Sequence, residues 1–104
     1  MGYGLTMILI EQTEAFATWF SRLKDRTARA RILVRLRRLS LGLAGDARSV
    51  GMGVSELRID HGPGYRVYFT WRGAACVLLL AGGDKSTQVE DIRRAQALAR
   101  DAQE

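Results

Sequence analysis

Three strand-like runs follow one another between Val54 and Ala81, separated by connections too short to hold a helix. Val54–Asp60 (VSELRID) alternates, with Leu57 and Ile59 on one side and Glu56, Arg58 and Asp60 on the other. His61-Gly62-Pro63-Gly64 has the chemistry of a compact turn. Tyr65–Arg72 (YRVYFTWR) alternates again, placing Tyr65, Val67, Phe69 and Trp71 on one face and Arg66, Tyr68, Thr70 and Arg72 on the other. Arg72-Gly73 makes a second turn. Ala74–Ala81 (AACVLLLA) is apolar on both faces, as befits a strand at a sheet centre or one covered on both sides, and Gly82-Gly83 ends it. Connections this short join antiparallel neighbours. The rest of the chain therefore has to supply what covers this meander.

The N-terminal half reads as one strand and two helices. Met7–Gln12 (MILIEQ) is strand-like. Thr13 is a good N-cap, and Glu14 in the first turn favours the helix dipole. Phe16, Trp19, Phe20 and Leu23 then recur at helical spacing. Asp25 and Arg26 interrupt the pattern, and a second helix is predicted over Thr27–Leu41. Ala28, Ile32, Leu36, Leu39 and Leu43 form its apolar face, Arg31, Arg35 and Arg38 share another, and Gly42 and Gly45 close it. The pair makes an αα-hairpin. Residues 45–53 are glycine-rich and read as a loop, within which Gly51-Met52-Gly53 lacks the strand–helix context of a dinucleotide site. Asp84 or Ser86 caps a last helix, Thr87–Ala102, whose apolar residues are Val89, Ile92, Ala95, Leu98 and Ala99. The expected architecture is one α+β domain over residues 1–104, order β-α-α-β-β-β-α, with the helical hairpin packed on a small, twisted, mainly antiparallel sheet.

Charge narrows the partners. Residues 20–40 hold eight basic side chains and one acid, a net of +7, while the remainder carries −2. Arginine dominates, and its planar fork suits phosphate and carboxylate, so a nucleic acid or an acidic protein fits the balance. No apolar run approaches the ~18 residues that span a bilayer. Cys76 is the single cysteine, which excludes an intrachain disulfide and points to a reducing cytoplasm.

The polar side of the strand hairpin is the candidate site. Alternation groups Arg58 with Arg66 and Tyr68 on the side opposite the Leu57/Val67 core, and Gly82-Gly83-Asp84-Lys85 brings Lys85 and the start of the last helix to its edge. Such a set suits a phosphate, if that face stays open. There is one histidine, no metal-ligand spacing, no GxxxxGKS/T loop and no GxSxG, so neither metal nor cofactor is expected. A nuclease on this chain would rely on the 2′-OH of RNA as nucleophile, with cations on the phosphorane charge. Arg58 and Arg66 suit the latter role, and Tyr68, Lys85 or His61 the proton transfers.

The segments ELRIDHGPGYRVYF (Glu56–Phe69) and LLLAGGDKSTQVEDIRRAQALA (Leu78–Ala99), with TEAFATWFSRLKDRTARARILVRLRRLSLG (Thr13–Gly42), closely resemble the HigB-like branch of the RelE/ParE toxin superfamily, chains often labelled addiction-module killer proteins. That resemblance implies a RelE-like fold and the toxin of a type II toxin–antitoxin pair, a ribosome-dependent endoribonuclease that cuts messenger RNA and arrests translation. By position it carries over Arg58, Arg66 and Lys85 as the basic residues and Tyr68 as a stacking or proton-transfer group. A non-enzymatic toxin of the ParE type, acting on DNA gyrase, is the alternative. The implied partners are a cognate antitoxin and ribosome-bound messenger RNA, with Phe16, Trp19, Arg31, Arg35 and Arg38 as candidate antitoxin contacts wherever they are exposed.

Overall fold

The structure is a computed structural model that describes residues 7–103. The elements run β1 (Leu9–Gln12), α1 (Glu14–Arg22), α2 (Arg26–Ser40), β2 (Ala47–Gly51), β3 (Val54–Ile59), β4 (Tyr65–Trp71), β5 (Cys76–Gly83), a 3₁₀ turn (Lys85–Thr87) and α3 (Gln88–Ala102). The sheet order is β1-β5-β4-β3-β2; β1 lies parallel to β5, and every other pair is antiparallel. No helix among the described residues is long and apolar enough to cross a membrane.

Local chemistry sets the helix starts. Thr13 Oγ1 accepts the Phe16 N–H at 3.1 Å and donates to the Leu80 carbonyl at 2.7 Å, so the cap of α1 is also pinned to β5. Asp25 is the N-cap of α2, its Oδ1 accepting the Ala28 N–H at 3.0 Å. The residue expected to interrupt the helices thus begins the second one. Leu43, placed on the α2 apolar face by periodicity, is exposed instead, because the helix ends at Ser40 and Gly42 turns the chain at φ +82°. Val89 is likewise exposed, in the first turn of α3.

Two corrections concern the sheet. The glycine-rich 45–53 segment contains a strand: β2 pairs with β3 through a two-residue connection, Met52-Gly53, in which both residues have positive φ (58° and 76°). That backbone matches the twist of a tight hairpin, and Gly51-Met52-Gly53 is its turn. Gly82 and Gly83 extend β5 rather than ending it, facing Val67 and Arg66 of β4.

The sheet is buried on both faces. Phe16, Ile32 and Leu39 from the helical hairpin pack with Leu57, Ile59, Val67, Phe69, Val77 and Leu79. On the reverse, α3 lays Ala95 and Ala99 on Val54, Tyr68, Leu78, Leu80 and Ala81. The face expected to be open and polar is therefore half occupied by a helix. Small alanines on α3 let it sit close, which is why an apolar-on-both-sides β5 is needed.

Candidate functional site

Alternation puts Glu56 and Arg58 of β3 and Arg66 and Tyr68 of β4 on the α3 side of the sheet, and the register pairs them directly: Glu56 opposite Tyr68, Arg58 opposite Arg66. Their fates differ. α3 begins at Gln88, whose Nε2 donates to Glu56 Oε2 at 2.8 Å. Everything under the helix is closed off, and Glu56 and Tyr68 are fully buried. The next pair toward the hairpin turn, Arg58 and Arg66, lies beyond this closure at the wall of a hollow of about 380 Å³ that Asp46, Asp60 and His61 also line.

Arg58 and Arg66 are thus brought together, as expected. The Arg58 side chain is 43% exposed, with Nε 3.7 Å from Asp46 Oδ2; the Arg66 side chain is only 10% exposed, with Nε 3.8 Å from Glu56 Oε1. Neither distance is that of a hydrogen bond. Both Nε atoms are buried and lack a hydrogen-bond partner. Buried guanidinium donors of this kind are costly to leave unmet and are satisfied by an anion that presents two oxygens. The wall is of mixed charge rather than uniformly basic, because Asp46 and Asp60 share it.

Tyr68 is corrected. It belongs to the second core, not to an open surface, and burial, followed by the Glu56 carboxylate, pushes its phenol well above the ordinary range. Its hydroxyl is buried without a hydrogen-bond partner. A Tyr68→Phe variant is expected to be more stable by about 1 kcal/mol, since an unsatisfied buried hydroxyl is removed. It should also retain every activity of the parent; a fall in melting temperature would show that the hydroxyl is satisfied in the folded chain.

Lys85 is exposed at the 3₁₀ turn. Its backbone N–H donates to Pro63 O at 3.4 Å, which ties it to the hairpin turn, but it is not among the residues lining the hollow. The start of α3 is not a bare anion site either. Asp84 caps the 3₁₀ turn through the Ser86 N–H, Thr87 donates to Asp91, and Glu90 and Asp91 occupy the first helical turn.

Alternation along single strands could not reveal two features. Glu56 is the hub behind the site, accepting from Arg48 Nε at 3.2 Å and from Gln88, with Arg66 at its flank. Arg35, expected on a free basic face, instead donates to the carbonyls of Arg58, Ala44 and Asp46, fastening α2 to the chain segment that carries Asp46 and Arg58. Arg29 is similarly used up, donating to Phe20 O and Leu23 O while its guanidinium stacks on Phe20. Of the candidate partner contacts, Phe16 is core, and Arg31 and Arg38 are exposed.

Residues 18–101 match the family model described as Phage derived protein Gp49-like (DUF891). An uncharacterized protein of Haemophilus influenzae is 49% identical over 94 residues, covering 90% of this chain and 95% of that one. Among solved structures, a mutant of the E. coli toxin RelE in the free state superposes with a TM-score of 0.66 at 15% identity, covering 85% of this chain and 97% of the other. The likeness to RelE is one of fold.

Proposed function

Since the chain belongs to the phage-derived Gp49-like family and has the RelE fold, we propose that it is the toxin of a type II toxin–antitoxin pair, of the HigB-like kind, and that it cleaves messenger RNA on the ribosome. The observation that supports this most directly is the cross-strand pair Arg58/Arg66, two guanidiniums whose buried Nε donors have no hydrogen-bond partner, set at one hollow.

The chemistry follows from what those groups can do. RNA supplies its own nucleophile. Attack of a 2′-oxygen on the adjacent phosphorus forms the O2′–P bond, breaks the P–O5′ bond and leaves a 2′,3′-cyclic phosphate. Negative charge builds on the non-bridging oxygens as this happens. Donors already held in place and partly dehydrated stabilise that charge without reorganising. Arg66, backed by Glu56, is the fixed donor, and Arg58 is the more mobile one at the rim. Lys85, tied to the hairpin turn, supplies a cation outside the hollow for a flanking phosphate. The cognate antitoxin is proposed to offer an acidic, amphipathic segment to α2, where Arg31, Arg38 and exposed Val34 border a shallow groove with Ala30 and Ile59.

Programmed ribosomes carrying a defined messenger RNA test the reading. The wild-type chain is expected to cut the message, and Arg58→Ala with Arg66→Ala to slow cutting by about 10²–10³-fold. Cutting by the double variant at the wild-type rate would overturn the assignment of this pair. Intact message with persistent gyrase–DNA complexes in cells would turn the reading to the gyrase-directed alternative.

A further inference from the structure

We propose that His61, oriented by Asp25, is the base that takes the 2′-hydroxyl proton in this site, an inference that rests on the ribonuclease reading and adds a residue to it. His61 stands in the β3–β4 turn and lines the same hollow as Arg58 and Arg66. Its Nε2 is 3.1 Å from Asp25 Oδ2. The two residues are far apart in sequence, and the pairing is made only because α2 starts beside the hairpin turn.

Both partners are held. Asp25 cannot swing freely, because its other oxygen caps α2 through the Ala28 N–H at 3.0 Å. That same hydrogen bond, and then the imidazole, keeps the Asp25 carboxyl below its ordinary range, so it is an anion at neutral pH. His61 is clamped at its backbone: its N–H donates to Ile59 O at 2.9 Å and its carbonyl accepts from the Gly64 N–H at 3.2 Å. Its side chain is 24% exposed, so the ring is sheltered yet reachable.

An anionic partner at Nε2 keeps the ring hydrogen on that nitrogen and leaves the lone pair on Nδ1. A carboxylate that fixes the tautomer of an imidazole and stabilises the cation formed on protonation is the arrangement of acyl-transfer triads, used here with the ring nitrogens exchanged. In the proposed step the 2′-OH proton passes to His61 Nδ1, the O2′–P bond forms, the P–O5′ bond breaks, and the departing 5′-oxygen takes its proton from solvent water. Arg58 and Arg66 hold the phosphate while Asp25 balances the imidazolium.

Single-turnover cutting of the defined message on programmed ribosomes separates this from a structural role. In His61→Gln the side-chain amide still donates to Asp25 but offers no base. The expected result is a rate lower by about 10²–10⁴-fold, with thermal unfolding like that of the parent. In His61→Ala, added imidazole should restore part of the lost rate. If the wild-type chain cuts and His61→Gln cuts at the same rate, His61 is only a brace for α2 and the inference falls while the ribonuclease reading stands. Should the wild-type chain leave all message intact, the ribonuclease reading falls and this inference falls with it.

Discussion

Replacing Glu56 with alanine is expected to cost about 3–5 kcal/mol of stability, because it strips the countercharge from a guanidinium that is nine-tenths buried. Glu56 is fully buried and makes polar contacts to three elements: Arg48 on β2, Arg66 on β4 and Gln88 at the start of α3. Removing it leaves the nearly buried Arg66 side chain without its countercharge and the Gln88 amide without its acceptor. For a domain of this size the loss corresponds to a fall in melting temperature on the order of 20 °C.

The same reasoning sets the control. Glu56→Leu combined with Arg66→Met removes both charges and keeps the volume, so it should recover much of the stability that either single change loses, while still lacking the proposed phosphate contact. Thermal unfolding of the two single variants and the pair measures this. A Glu56→Ala protein that melts within a few degrees of the parent would mean that Arg66 relaxes to solvent, and the preset donor assigned to the site would not exist. Stability and the proposed function are coupled at this carboxylate: it flanks the arginine proposed to hold the phosphate.

The meander was legible because its turns were. With His61–Gly64 and Arg72-Gly73 spaced as they are, β3, β4 and β5 have few alternatives, and strict alternation alone puts Arg58 and Arg66 on one face. Thr13 was readable as a cap for the same local reason. β2 was not, since its turn uses Met52 at φ +58°, where Asn or Gly would have announced a hairpin, and its side chains alternate only weakly.

Tyr68 and Glu56 lie on the side that alternation assigns them, and their burial there has a tertiary cause. A strand pattern tells which side a residue takes but not what covers that side, and the apolar face of α3, Ala95 and Ala99 with Ile92 and Leu98, does not say which surface it packs on. The Asp25–His61 pair is the extreme case. Asp25 signals only a break between two helices, His61 only a turn residue able to transfer a proton, and their juxtaposition depends on how α2 docks against the sheet. Of the basic run in residues 20–40, composition also overstated what is free, since Arg29 and Arg35 are consumed in tying down carbonyls.

Gly82→Ala is expected to be the other severely destabilising change, although it adds a single methyl group. A Cβ at this position would lie well under 3.0 Å from Cε3 and Cζ3 of Trp19. The indole is seated against the backbone of β5, with Phe16 at 5.8 Å and Tyr65 at 6.4 Å between ring centroids. Gly82 has no left-handed backbone to preserve, so the effect is one of space alone. The ring can yield only by leaving its contacts with Phe16 and Tyr65, which puts the cost near or above the upper end of the ~1–3 kcal/mol typical of overpacking. A fall in melting temperature of about 10–20 °C follows. Trp19→Leu alone leaves a void and should also destabilise, but in the Gly82→Ala background it relieves the clash, so the two losses should fall short of adding by about 0.5–3 kcal/mol. Trp71→Phe as the parent isolates the emission of Trp19, which should shift to the red in Gly82→Ala as the indole moves toward water. An unshifted emission together with an unchanged melting temperature would show that the ring does not rest on this glycine. Because Tyr65 follows the 61–64 turn directly and packs against Trp19, a displaced indole should also loosen the turn that holds His61, and on the proposed ribonuclease reading message cutting should slow even at temperatures where the variant remains folded.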